Sequence, residues 1–228
     1  MTAPGAPPAG RPQAVLFDLD GTLIDSAPDL AGAANDMREA RGLPRLPLAH
    51  FRPMVGSGAR GMVARALGVG PDDAQFIALR DEFLQRYEAR MTRETGVFAD
   101  MLPVLGVLAA QGMPWGIVTN KAARFSQPLV QALGLHAASA TLVCGDTTPH
   151  TKPHPAPLLE AARRMGLSPQ HCWYVGDDHR DVQAGHAAGM TTVAAAWGYL
   201  GAGEPITAWG AHHIVNTPTE LLKLLAMA

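Results

Sequence analysis

The chain has 228 residues, of which 47% are hydrophobic and 17% charged, and its formal net charge is −2. That is enough apolar material for one large domain or two modest ones, and near-neutrality without basic runs argues against nucleic acid as the main partner. Two cysteines, Cys144 and Cys172, read as reduced packing residues rather than a disulfide framework, and no stretch reaches the roughly 18 uninterrupted apolar residues of a membrane span.

Residues 1–13 are rich in Pro, Ala and Gly and lack the apolar core of a signal peptide. They are read as a disordered tail on a cytoplasmic protein. The apolar run Ala14 to Phe17 then has the composition of a buried parallel strand, and it stops at Asp18 and Asp20, followed by Gly21 and Thr22. Two carboxylates sharing one mouth repel unless a cation lies between them or one holds a proton. Either solution points to chemistry.

Ser26 followed by Pro28 and Asp29 predicts a capping box, and Leu30, Ala33, Ala34 and Met37 continue at helical spacing until Gly42. A second helix is predicted over 59–67, ended by Gly68, and a third from about Asp72 with Phe76, Leu79, Phe83, Tyr87 and Met91 on one stripe. No strand is predicted between residues 27 and 92. That segment therefore reads as a helical insert.

From Gly96 helices and short apolar strands alternate. Helices are predicted over 101–110, 125–133, 157–165 and 181–188, and strands over 115–118, 141–144, 172–175 and 191–196. Strict alternation implies crossovers and a parallel sheet. Several strands end in a polar residue (Asp18, Thr119, Asp146, Asp177), and Lys152 follows a strand in a loop stiffened by Pro153 and Pro155. Parallel strands bring such ends to one rim, the place where ligands of open α/β sheets collect. Taken singly, Asp20 reads equally well as turn chemistry, Thr119-Asn120 as a helix cap, Lys152 as a solvated charge, and Asp177 with Asp181 as complements to a helix dipole. Their joint order favours a site.

The order DLDGT, VTN, KPHP and VGDDHRD is similar to the four motifs of the haloacid dehalogenase superfamily, in the phosphatase branch that carries a helical cap. The resemblance implies a Rossmann-like parallel α/β core over 14–26 and 93–228 with a cap over 27–92. It implies hydrolysis of a small-molecule phosphate ester with Mg²⁺ as cofactor, in a monomer or weak homodimer without membrane or nucleic-acid partners. Asp18 is then the nucleophile that forms an aspartyl-phosphate, Asp20 the general acid and base, and Lys152 the charge that offsets both phosphate and nucleophile. Asp18, the carbonyl of Asp20, and Asp177 supply the metal's protein ligands. Thr119, Asn120 and Gly21 lie with the phosphate, while Asp181 and Asp178 surround the metal and Lys152 from behind.

Within that branch the chain looks like bacterial phosphoglycolate phosphatases, although Asp178 stands where those more often carry Ser or Thr. WGIVTNK, KPHPAPLLEA and AWGAHHIV look closer to N-acetylmuramic acid 6-phosphate phosphatases. A phosphomutase, which uses the same core, and a non-catalytic phosphate sensor are the other readings. Gly56-Ser57-Gly58-Ala59-Arg60-Gly61 fits G-x-G-x-x-G, but no strand precedes it, so it is not a dinucleotide fingerprint. The resemblance instead makes Ser57 and Arg60 candidates for substrate contact. Among nine histidines, His150, His154 and His179 are expected to border the site without being required by it.

Overall fold

A computed structural model describes residues 10–201 and 203–227; of the tail expected over residues 1–13, residues 1–9 lie outside them, while residues 10–13 are described and the Gln13 amide donates to His171 O (2.8 Å). Six strands form one parallel sheet: β1 (Ala14–Phe17), β4 (Trp115–Val118), β5 (Thr141–Val143), β6 (Cys172–Gly176), β7 (Thr191–Ala195) and β8 (His213–Val215). Their order is β5-β4-β1-β6-β7-β8, which puts β1 in the middle, between β4 and β6. A strand with neighbours on both edges and helices on both faces buries every residue, and all four residues of β1 are buried.

Alternate side chains of β1 enter different cores, as the two-residue period of a strand requires. Val15 and Phe17 join Trp115 and Trp173 in the larger apolar cluster, which includes α5 (Met101–Ala110), α6 (Ala123–Ala132) and α9 (Pro218–Met227). Ala14 and Leu16 face the smaller one, with Leu158 and Ala161 of α7 (Ala156–Arg164) and Ala184 and Ala188 of α8 (His179–Ala188). Cys144 and Cys172 are both free and buried. Among the described residues no helix is long and apolar enough to cross a membrane.

β2 (Ile24–Asp25) and β3 (Gly96–Val97) pair antiparallel as a second, two-stranded sheet. Between them the chain forms α1 (Ala27–Glu39), α2 (Leu48–Phe51), a 3-10 turn over Arg52–Ser57, α3 (Gly58–Leu67) and α4 (Phe76–Glu88). Phe76, Leu79, Phe83 and Tyr87 are the buried stripe of α4. They continue into the larger core together with Phe125 and Leu30.

The expected capping box at Ser26 does not form. Ser26 is the N-cap of α1, but its side chain makes no cap hydrogen bond; the hydroxyl of Tyr199 accepts instead from the amides of Ser26 (2.9 Å) and Ala27 (3.0 Å). The box lies at α8. There the Asp178 side chain accepts from the Arg180 amide while Asp181 accepts from the Asp178 amide.

Candidate active site

The carboxyl ends of β4, β1 and β6 are adjacent, and the residues that follow them form one floor. Beyond β1 the Asp18 amide still donates to Val175 O (2.9 Å), so the ladder carries Asp18 to the rim before the chain turns. The turn is closed by Gly21 N to Ile24 O (2.9 Å). Gly21 has φ +86°, and a Cβ there would lie inside the Asp177 carboxylate and against Tyr199. Only glycine lets the β1 loop and the β6 carboxylate come together. Because the Gly21 amide is spent in the turn, it does not face a phosphate as expected.

Lys152 is buried, and its ammonium lies 2.8 Å from Asp18 Oδ1, 2.7 Å from Asp181 Oδ1 and 3.1 Å from Val118 O. It also donates to the Tyr174 hydroxyl (2.8 Å). Burial alone opposes the Lys152 charge, but Asp18 and Asp181 outweigh it and raise its pKa above the ordinary lysine value. Its loop is held by Asn120, whose amide side chain donates to Lys152 O and accepts from Lys152 N, both at 2.9 Å. The Asn120 side chain is thus engaged in placing Lys152, while the residue itself lines the cavity. The Thr119 hydroxyl accepts from the Lys121 amide (3.1 Å), and its residue lines the cavity above the floor.

Asp177 is buried and accepts from Thr22 Oγ1 (2.9 Å) and the Tyr199 amide (2.7 Å). Burial, and then the charges of Asp18 and Asp181, hold its pKa well above the carboxylate range. For Asp18, burial pushes up, Lys152 pulls down and Asp181 pushes up again, leaving its pKa at about 7. Asp18 Oδ1, although close to Lys152, has no aligned hydrogen-bond donor.

One oxygen each from Asp18, Asp177 and Asp181 lie within 4.8 Å of one another. One lysine, paired with Asp18 and Asp181, against three acidic side chains leaves an excess of negative charge, and oxygen donors of this kind suit a hard divalent cation. Asp181 has both oxygens engaged, by Lys152 and by the Asp178 amide. Asp177 meets only neutral donors, the Thr22 hydroxyl and the Tyr199 amide, and Asp18 Oδ1 has no aligned donor, so the unmet negative charge falls on these two.

Asp20 faces a different set. Its Oδ1 accepts from the Ser26 hydroxyl and forms an ion pair with Lys121 Nζ (2.6 Å). The Lys121 ammonium also lies 5.1 Å from the centre of the Tyr87 ring of α4. Asp178 turns to Arg180, which spans to Gly56 O (2.5 Å) in the helical insert. Burial opposes the Asp178 charge, but Arg180 lowers its pKa below the ordinary value.

Above the floor is a cavity of about 350 Å³ whose walls include Leu30, Val55, Phe83, Leu84, Tyr87 and Phe125. Asp18, Asp20, Thr119, Asn120, Lys152, Asp177, Asp178 and Asp181 all line it. Ser57 and Arg60 do not; both are exposed, and the Gly-rich segment reaches the cavity through Gly56, Gly58 and Ala59. With a backbone that close to Asp178 and Arg180, the segment presents main chain rather than its long side chain. His150 and His154 pack as a tilted ring pair and His179 stacks on Trp209, all outside the cavity lining. Asp146, another strand-end carboxylate, is exposed and accepts from the Ala123 amide at the start of α6.

Ser26, Lys121, Arg124, Arg180 and Tyr199 were not among the expected site residues. Lys121 had a sequence signal, a cation directly after the strand-end pair Thr119-Asn120. Tyr199 follows β7 by four residues, but nothing local tells that its hydroxyl reaches Asp25 (2.9 Å) and the start of α1.

The sheet order, the inserted helices and the acidic rim define the class: the haloacid dehalogenase-like hydrolase profile matches residues 15–195, and the chain belongs to that family. Among individual proteins, it is 47% identical over 211 residues to a phosphoglycolate phosphatase of Xanthomonas campestris pv. campestris, covering 92% of this chain and 95% of that one. It is 40% identical over 218 residues to an N-acetylmuramic acid 6-phosphate phosphatase of Pseudomonas aeruginosa, covering 96% of both. The crystal structure of a predicted phosphoglycolate phosphatase from Haemophilus somnus superposes with a TM-score of 0.81 at 29% identity, over 93% of this chain and 97% of that one.

Proposed function

We propose that this chain is a Mg²⁺-dependent phosphatase that hydrolyses a small phosphate monoester through an aspartyl-phosphate on Asp18. The observation that carries the reading is the charge deficit of the floor: Asp18 and Asp177 with raised pKa values, one lysine between Asp18 and Asp181, and a cavity directly above. Asp18 and Asp177 are the side chains that would hold the ion. The ion would supply the positive charge that lets a carboxylate approach a dianionic phosphate.

The remaining steps belong to the chain itself. An Asp18 oxygen forms a bond to phosphorus as the ester oxygen leaves, and Asp20 gives that oxygen its proton. Asp20 then removes a proton from water, which attacks phosphorus, releases inorganic phosphate and restores Asp18. Lys152, fixed by Asn120 and Asp181, offsets charge on the phosphoryl oxygens throughout. Ser26 and Lys121 hold Asp20 at its post. Residues 27–92 act as a cap that closes the leaving-group side from water. The similarity to phosphoglycolate phosphatases supports 2-phosphoglycolate as substrate. The size and apolar walls of the cavity favour a second reading, the larger N-acetylmuramic acid 6-phosphate.

The test is release of inorganic phosphate from a metabolite panel with Mg²⁺, with EDTA, and with Asp18→Asn. Wild type with Mg²⁺ is expected to turn over, and the substitution to remove at least about four orders of magnitude. Activity that survives Asp18→Asn removes the nucleophile assignment. Isomerised sugar phosphate without free phosphate selects the phosphomutase instead.

A further inference from the structure

Every cation lining the cavity has a carboxylate partner except one. Lys152 is matched with Asp18 and Asp181, Lys121 with Asp20, and Arg180 with Asp178. Arg124, in the first turn of α6, also lines the cavity, and among the described residues no carboxylate pairs with it. Its guanidinium carbon lies 4.3 Å from the centre of the Phe125 ring. Phe125 is in turn buried against Tyr87 of α4, at 5.6 Å between ring centres. Aromatic support of this kind leaves the in-plane N–H fork of an arginine free for a planar anion.

Resting on the phosphatase reading above, we infer that Arg124 is the specificity-determining residue for the leaving group and takes a carboxylate there. The substrate class is then phosphate esters of hydroxy acids, not esters of uncharged alcohols. A single guanidinium on an exposed residue at the edge of apolar walls suits a monoanion. A second phosphate would bring two further negative charges into a cavity that already holds Asp18, Asp20, Asp177 and Asp178, and only one free cation to meet them. The two substrates named for the relatives differ greatly in size yet share a carboxylate. Arg124 accounts for one site accepting either.

The experiment compares paired esters that differ in that group: N-acetylmuramic acid 6-phosphate against N-acetylglucosamine 6-phosphate, and 2-phosphoglycolate against ethyl phosphate. In wild type the carboxylated member of a pair is expected to have the higher kcat/KM. Arg124→Gln is expected to lower the ratio within a pair roughly 10- to 100-fold, the worth of one charge-assisted hydrogen bond, mainly through KM. Arg124→Lys recovers part of it. An unchanged ratio, or wild-type preference for a bisphosphate, overturns the assignment. A binding arm separates it from the phosphatase reading: in the Asp18→Asn protein, calorimetry should show Arg124→Gln weakening 2-phosphoglycolate by the same factor relative to ethyl phosphate. No turnover in wild type with that differential intact sinks the catalytic reading alone; no differential sinks the Arg124 assignment whatever the turnover.

Discussion

Asp29 and Asp18 are both carboxylates withdrawn from water, at opposite ends of the link between helices and sheet, and their surroundings differ in kind. Asp29, fully buried near the start of α1, accepts through Oδ2 from the amides of Glu94 (2.9 Å) and Thr95 (2.9 Å) and from Thr95 Oγ1 (2.8 Å). Arg90 Nε lies 3.5 Å from its other oxygen without an aligned hydrogen bond, and Arg90 is shared with Asp36 and Glu94, so it is the three donors on Oδ2 that set Asp29 apart. The guanidinium is seated over Gly32, where a Cβ would collide with it. At the rim three carboxylates come within 4.8 Å of one another, the one lysine pairs with Asp18 and Asp181, and Asp177 meets only neutral donors. A buried charge surrounded by donors ties two chain segments together. A buried charge left short of donors creates demand for something the chain does not contain.

The sharpest way to break this comparison is to make the same substitution in both places. Asp177→Asn removes a charge from the crowded site, and its amide can still accept from Tyr199 N while the Thr22 hydroxyl rotates to accept. Phosphate release with Mg²⁺ should fall by about three orders of magnitude or more, because a ligand of the ion is lost. The metal-free protein should nevertheless melt higher than wild type. A lower melting point would mean that Asp177 is held as Asp29 is, and the distinction between the networks would fail.

Asp29→Asn should do the opposite. The Asn oxygen can keep the three donors on the Oδ2 side, but its NH2 then faces the Arg90 guanidinium, which loses its buried charge partner, at a cost on the order of 2–4 kcal/mol in urea unfolding. Equal stability would show that the Asp29 network ties nothing.

The comparison also marks where the sequence stops being readable. Strands β1, β4 and β6 are short apolar runs ended by a polar residue, β7 is a run of Thr, Val and Ala, and the α4 stripe has helical spacing; each carries its signal within a few neighbours. β2 and β3 are two residues each, too short for any period, and β8 is the half-polar His213–Val215. Asp18, Asp20, Thr119, Lys152 and Asp177 meet on one floor because parallel strands present their ends together, so chain order was enough. Ser26 shows the limit. Its local pattern predicts a cap, yet its hydroxyl is drawn to Asp20 and its amide to Tyr199, 173 positions away. Gly21 and Asn120 were expected at the phosphate and prove to shape the loops around it, because their hydrogen-bonding partners lie elsewhere in the fold. Ser57 and Arg60 stand outside the cavity lining, because the side a turn presents is set by what packs beneath it.

The smallest effect expected lies in pH dependence, and its sign follows from the rim. The Asp18 carboxyl, ordinarily near 3.8, sits at about 7 in the folded metal-free protein. Below pH ~4 it is protonated whether folded or unfolded and contributes nothing to the difference. Between ~4 and 7 the unfolded chain has released the proton while the folded chain retains it, so stability falls as pH rises. His213, lowered by burial, pulls the other way as it loses its proton in part of the same window. Asp177 is raised partly by the Asp18 charge, so subtracting the melting-temperature profile of Asp18→Asn from that of wild type, both in EDTA, removes His213 and reports Asp18 together with its effect on Asp177. The difference should decline by several degrees from pH 4.5 to 7.5. Saturating Mg²⁺ should flatten or reverse it, since the ion binds the ionised carboxylates and displaces their protons. A difference that rises with pH in EDTA would place Asp18 among well-paired carboxylates and remove the charge deficit on which its assignment as nucleophile rests.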